Sequence, residues 1–415
     1  MTVGSVQDIR ARNDACDTRP VGAFRQPGRR VAAGSSLAAG AIVLTALYLQ
    51  AVFNWRQASL FLVGVLAGVV LYHAAFGFTT SWRVFISDRR GAGLRAQMVM
   101  LALTCAVFYP LLAAGSFFGQ PIRGSVAPPG VSVVIGAFMF GTGMQLGGGC
   151  ASGTLFTVGG GSARMLVTLI FFIAGSLVAT AHVSFWSALP AMAPTSVVMA
   201  VGPWLGLGLT LAVFGGIAHA TRVAERRAHG ALVNEDPTTP RWLRGPWPLL
   251  AGAVGLACVN IATLALAGRP WGVTSAFALW GAKSASTLGV DVASWSYWSA
   301  PAQAAALRAS VLSDVTTVMN GGIILGALTA AVLAGRFRVA WQVSARSLAA
   351  AVLGGLLLGY GARLAYGCNI GAYFSGIASG SLHGWLWLVA AFAGNIVGTR
   401  LRPRFGLAVE RTRSC

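Results

Sequence analysis

Residues 136–153 read GAFMFGTGMQLGGGCASG, and residues 354–371 read GGLLLGYGARLAYGCNIG. Aligned without a gap, the two are identical at seven of eighteen positions: Gly136, Gly141, Gly143, Leu146, Gly149, Cys150 and Gly153. Both carry G-x2-L-x2-G-C-x2-G. A weaker correspondence lies upstream, where Phe76-Gly77-Phe78-Thr79-Thr80 matches Trp271-Gly272-Val273-Thr274-Ser275. Such self-similarity marks a duplicated structural unit.

The sequence around these stretches is that of a membrane protein. Of 415 residues, 56% are hydrophobic and 10% charged, with a mean hydropathy of +0.70. Soluble chains carry about 25% charged residues. A run of about 20 apolar residues crosses a bilayer. Spans are predicted near 37–55, 60–78, 96–118, 131–147, 163–182, 204–220, 249–268, 315–334, 348–364 and 384–399. The fold expected is all-α and polytopic, with about ten transmembrane helices, and it excludes a soluble enzyme or a nucleic-acid partner.

Charge sets the orientation. The net charge of +20 comes almost wholly from arginine, Lys283 being the one lysine. Alternate inter-span segments hold 24 basic residues on one side and six on the other: Arg56, Arg123, Arg269, Lys283, Arg308 and Arg363. Basic residues collect in cytoplasmic loops, so both termini are expected inside. The organisation follows: a cytoplasmic tail over 1–36 and an extra transmembrane helix within 37–59. A first repeat with a linking span covers 60–220, a cytoplasmic linker 221–248, a second repeat 249–399, and a tail 400–415. The span at 204–220 makes the second repeat enter from the opposite side, giving two inverted-topology repeats. Transporters built this way bind substrate between the repeats near the midplane.

Glycine runs such as Gly147-Gly148-Gly149 interrupt helices. Broken or re-entrant helices are expected at 76–88, 147–162, 270–283 and 365–381, because irregular backbone survives at membrane depth only in protein or along a cavity. Two of these breaks hold Cys150 and Cys368, flanked by Gly149 and Gly153 and by Gly367, Asn369 and Gly371. A lone buried cysteine is ordinarily a small hydrophobe; recurrence at equivalent points of two breaks points to a substrate path instead. Cys105 and Cys258 have no repeat partner and read as packing, and Cys16 and Cys415 as incidental tail residues. No CxxC or Cys/His cluster occurs, so no metal site, cofactor, disulfide framework or catalytic set is expected.

None of the ten acidic residues falls in a predicted span, which disfavours proton or sodium coupling through an intramembrane carboxylate and suits an anion. Arg83, Arg123, Arg269 and Arg363 sit at span ends, as attractors for an anion or as snorkelling anchors. His73 and His383 lie near breaks, each read as satisfied by a carbonyl before it is read as a donor. Trp295, Tyr297 and Trp298 read as an interfacial belt.

On GGGCASG at 147–153, YGCNIG at 366–371 and FGFTTSWR at 76–83, the chain resembles the YeeE/YedE family of sulfur-transport membrane proteins over roughly residues 60–400. The resemblance implies a bacterial inner-membrane permease importing thiosulfate or a related small sulfur-containing anion through an hourglass-shaped path. It implies that Cys150 and Cys368 line the constriction and contact the anion in turn. It also brings in a cytoplasmic sulfur-carrier protein as a partner beside the lipid bilayer. Family members commonly place a third cysteine on the path, where this chain has Gly77, two residues before Thr79. Two other readings stay open. One is a channel for another small solute with the cysteines as filler. The other is an intramembrane persulfide-forming enzyme, for which a second nucleophile or cofactor motif is not seen.

Overall fold

The computed structural model describes residues 29–232, 240–339 and 343–410. Cys16, Cys415, most of the N-terminal tail and the Glu235-Asp236-Pro237 stretch of the expected linker lie outside the described residues. Among the described residues the fold is all-α apart from one two-stranded hairpin over residues 116–121. Ten stretches among the described residues are long and apolar enough to cross a membrane, in line with the about ten expected from the sequence.

The first half holds α1 (Arg29–Val52), α2 (Trp55–His73), α3 (Phe78–Asp88), α4 (Ala92–Ala114), α5 (Val131–Gly147), α6 (Ala151–Gly159) and α7 (Ala163–Ala181). A single long helix, α8 (Pro203–His229), leads to the second half. There follow α9 (Leu249–Ala267), α10 (Thr274–Thr287), α11 (Val315–Leu333) and α12 (Ala345–Leu364). A π-helical turn (Asn369–Phe374) then runs into α13 (Ser375–Ala378), and α14 (Leu382–Leu401) closes the bundle. From α2 and from α9 the order is the same: long, short, long, long, short, long. Each of the four stretches expected to be interrupted holds a short helical segment.

Packing between the halves follows that order. Helix α2 lies on α11 and α9 on α4; α5 lies on α14 and α12 on α7. Exchanging the halves maps each of these pairs onto the other. Small residues bring the backbones together, as they do where lipid supplies no hydrophobic drive. A Cβ at Gly64 or Gly68 of α2 would strike the carbonyls of Met319 or Ile323 on α11, and one at Gly322 or Gly326 would strike Phe61 or Val65 in return. Gly141 on α5 and Gly394 on α14 meet Ala391 and Phe138 in the same way.

Several boundaries differ from the sequence reading by a few residues, and one by more. Helix α1 starts earlier than residue 37, and α2 starts at Trp55 rather than near 60. Helix α8 continues through 221–229, the first part of the expected linker. The cause is Glu225. It is fully buried and holds Arg95 Nη1 at 2.6 Å and the Gly91 amide at 3.2 Å, so α8 stays helical until it has delivered this carboxylate to the start of α4.

Contacts define two ends of the bundle. At the linker face, Trp247 N donates to His73 O, His229 Nε2 meets Asp88 O, and Arg164 reaches Ser347. At the opposite face, Gln57 reaches Leu312, Arg123 N donates to Gly268 O, and Trp186 reaches Tyr360.

Candidate functional site

Helix α5 ends at Gly148, whose φ of +95° turns the chain in a conformation natural to glycine. Two residues later Cys150 is the N-cap of α6, where its Sγ accepts the Gly153 amide at 3.4 Å and lies 3.4 Å from Ser152 Oγ. The second copy repeats the device on different geometry. Tyr366 (φ +56°) and Gly367 (φ +152°) turn the chain out of α12. Cys368 then caps the π-helical turn and accepts the Ile370 amide at 3.4 Å. Both cysteines are buried, at 2% and 0% exposure. The segments that they cap pack against each other. A thiol that accepts a backbone N–H through sulfur keeps its own proton for a third partner.

Asn369, next to Cys368, is fully buried, and neither its Nδ2 nor its Oδ1 has a hydrogen-bond partner. An unpaired buried amide costs a few kcal/mol unless something occasional fills it. Gly371 is half-buried, and a Cβ there would meet nothing within 4 Å, so open space stands one turn beyond Cys368. Its carbonyl accepts Ser125 Oγ at 3.3 Å, which places that space toward the opposite face. Gly149 and Gly367 are crowded instead. Added Cβ atoms would come to 3.1 Å from Gly153 C and 2.8 Å from Ala372 N. Gly153 contributes its amide to Cys150 and has only that sulfur nearby.

Gly77 caps α3 and lines a cavity of about 390 Å³ with His73, Thr80, Ser81 and Trp247 at the linker face. Thr79 is buried with its hydroxyl unpartnered, and its carbonyl accepts Gln145 Nε2 at 3.1 Å. The repeat alignment pairs Thr79 with Thr274 and Gln145 with Arg363. In the second half Arg363 Nη2 reaches Thr274 Oγ1 at 3.4 Å. Equivalent positions thus touch in both halves.

The arginines divide by place. Arg363, with a buried unpartnered Nε, reaches Tyr297 OH at 3.1 Å, and Arg269 reaches Thr316 Oγ1 at 3.2 Å, both toward the opposite face. Arg83 lies at the linker face. His383 is buried and holds Ser381 Oγ at 2.6 Å rather than a carbonyl, leaving Nε2 unpartnered. Cys105 is buried against Ile377 O, and Cys258 is exposed. Among the described residues no group of three or more His, Cys, Asp or Glu side chains is placed to hold a metal ion.

Sequence reasoning passed over Gln145, Asn395 and Tyr373. Gln145 Nε2 donates to Asn395 Oδ1 at 2.6 Å inside the bundle. Tyr373 stacks on Trp387 with its hydroxyl buried and unpartnered. Gln145 sits in the repeat opposite a charged residue, a signal open to inspection; Tyr373 and Asn395 carried none.

Residues 73–397 match the family described as sulphur transport. The probable transporter YedE of Escherichia coli is 30% identical over 171 residues, 41% of this chain and 42% of that protein, so the chain matches under half the length of that relative. The thiosulfate transporter TsuA of Spirochaeta thermophila is 27% identical over 354 residues, 80% of this chain and 95% of that protein. TsuA of Escherichia coli is 23% identical over 352 residues, covering 80% and 90% of the two chains.

Proposed function

Since this chain belongs to the sulphur transport family, we propose that it is an inner-membrane permease that imports thiosulfate or a related small sulfur-containing anion, passed between Cys150 and Cys368. The observation that carries this reading is the pair of cysteine caps on adjoining broken segments, with the unpartnered amide of Asn369 beside them. The names of the TsuA relatives support the substrate class.

A divalent anion leaving water loses many kcal/mol of solvation unless donors replace it. A fixed cation at the constriction would hold it too long for flux; conduction needs sites that are favourable and weak. Thiols are weak donors. With sulfur already accepting an amide of its own turn, each thiol has its proton left to donate, and among the described residues neither sulfur hydrogen-bonds a charged group. The start of α6 adds backbone N–H groups with the polarity that favours anions. In this reading the anion enters by the space at Gly371, meets Asn369 and Cys368, passes to Cys150 and leaves toward Gly77 and Thr79. The two halves are inverted in the membrane, the linker face is cytoplasmic with both termini, and a cytoplasmic sulfur carrier receives the product there.

The test is growth of a sulfur-auxotrophic bacterium on thiosulfate, with labelled uptake measured alongside. Cys150→Ala and Cys368→Ala should each stop uptake, and the double variant should be no worse than either single one. Both singles should remain monodisperse in detergent, and reductant should leave the parent active. Uptake by the double alanine variant would favour a plain channel over the thiol relay.

A further inference from the structure

At the linker face three guanidinium groups gather around the end of α5. Arg164 donates to the carbonyls of Leu146 and Gly147 at 2.6 and 2.7 Å, and Arg402 donates to the carbonyl of Gln145 at 2.7 Å. These two neutralise the negative end of α5. Arg83 has a different partner. Only 7% exposed, it holds Glu410 in a two-pronged pair, Nε to Oε2 at 2.7 Å and Nη2 to Oε1 at 2.6 Å, with Nη1 at 3.4 Å from Gln145 Oε1. This is the geometry in which arginine grips two oxygens of a carboxylate or an inorganic oxoanion.

Glu410 comes from the C-terminal segment, which leaves α14 at Leu401, turns back at Gly406 and is non-helical from Leu407 to Glu410. Leu407, Ala408 and Val409 wall a cavity of about 780 Å³ whose other side is Ser87, Arg89, Phe392, Ile396 and Thr399. Behind Arg83, one turn deeper on α3, the buried Thr79 hydroxyl is unpartnered, and so is that of Thr399 on α14. The cluster is also short of negative charge. Three guanidinium groups face one carboxylate and a helix end worth about half a charge, an excess of about +1.5. A divalent anion in place of the carboxylate would bring it close to neutral.

We propose that Arg83, with Gln145 and the field of Arg402, forms a binding site for a small divalent oxoanion at the linker face, and that Glu410 occupies it as a tethered competitor that must leave before the anion binds. The proposal rests on the transport reading only for the anion's role as cargo. As a binding site it stands on the geometry alone. The tail is held by the Arg83 pair and by two local contacts, Leu407 N to Arg402 O at 3.1 Å and Arg402 Nε to Ala408 O at 2.9 Å. Both local contacts are to Arg402, so the ion pair is the strongest hold that ties Glu410 to α3.

The experiment uses the full chain in lipid nanodiscs, with inorganic sulfate and thiosulfate as probes and calorimetry as the readout. A tethered competitor acts at an effective concentration in the millimolar range, so Glu410→Gln should raise sulfate affinity by about tenfold or more. Glu410→Asp should restore parental affinity, and Arg83→Gln added to Glu410→Gln should remove the gain. Unchanged affinity in Glu410→Gln, or a gain that survives Arg83→Gln, overturns the proposal. Arg83 is buried and its variant can fail to fold, so a second readout uses the parent itself. Saturating sulfate should speed amide exchange of residues 406–410, and exchange unmoved at saturation overturns the proposal equally. If Glu410→Gln binds sulfate more tightly while the parent moves no thiosulfate into liposomes, the site stands and the transport reading fails. If thiosulfate moves while affinity and exchange stay unchanged, the site fails and the transport reading stands.

Discussion

Gly367 and Gly371 are four residues apart and flank Cys368, yet the structure gives them opposite roles. At Gly367 the backbone sits at φ +152°, and a Cβ would come within 2.8 Å of the Ala372 amide nitrogen. Holding a non-glycine residue in such a region costs about 1–3 kcal/mol, a large share of a total stability of about 5–15 kcal/mol. For a chain of this size Gly367→Ala should lower the unfolding midpoint by roughly 1–4 °C. At Gly371 φ is ordinary and the Cβ position is empty, so Gly371→Ala should leave the midpoint unchanged or raise it slightly through a stiffer unfolded chain, about 0.4–1 kcal/mol. Function should invert the order. A side chain at 371 projects into the open space through which the proposed path reaches Cys368, so thiosulfate uptake should fall from alanine to valine and be lost with leucine while insertion and midpoint hold. The assays are thermal unfolding in detergent and labelled uptake in a sulfur-auxotrophic strain. Normal uptake by Gly371→Leu would show that the space is not on the path. An undiminished midpoint in Gly367→Ala would refute the backbone argument.

Three further outcomes are expected. Glu225→Ala should destabilise the protein by about 3–5 kcal/mol, because it leaves Arg95 facing a buried site without its partner; urea unfolding followed by tryptophan fluorescence measures it. Gly77→Cys should insert normally, since the nearest atom to the new Cβ would be Thr80 Oγ1 at an ordinary 3.4 Å, and the variant should react with a small thiol reagent added from the linker face. The Arg83 hydrogen bonds hold the Glu410 carboxyl below its ordinary value, against partial burial and with help from Arg402. A depressed carboxyl keeps its bound form above the ordinary value and loses it as pH falls through the lowered one. Exchange protection of residues 406–410 should therefore persist through the ordinary glutamate range and vanish only as the pH falls below it; loss between about pH 5 and 7 would contradict the pairing.

The long helices, their number and the four interruptions were legible in the sequence because hydropathy and glycine runs are local signals. The repeat alignment was legible too, but the correspondence within it of Gln145 with Arg363, whose side chains touch equivalent threonines, was passed over. Boundaries were not. The extension of α8 through 221–229 depends on Glu225 meeting Arg95, a contact between residues far apart in sequence. Asn369 and Gly371 were legible as neighbours of a cysteine, but that one amide would be left unpartnered and one Cβ position left empty depends on the whole surrounding fold. Glu410 looked like an ordinary tail residue, and nothing local tells that Gly406 turns the chain back toward Arg83.

The exchange of partners between the halves has a consequence for biogenesis. Helix α2 finds its glycine-lined seat on α11, α5 on α14 and α7 on α12, so the first half emerges from the ribosome with three contact surfaces whose mates are not yet made. Its helices must wait in the lipid as loosely associated segments until the second half is inserted, and the finished bundle forms late, in one step. A separately expressed first half would be a substrate for membrane proteases rather than a stable domain. Supplied with the second half on another chain, it would be rescued.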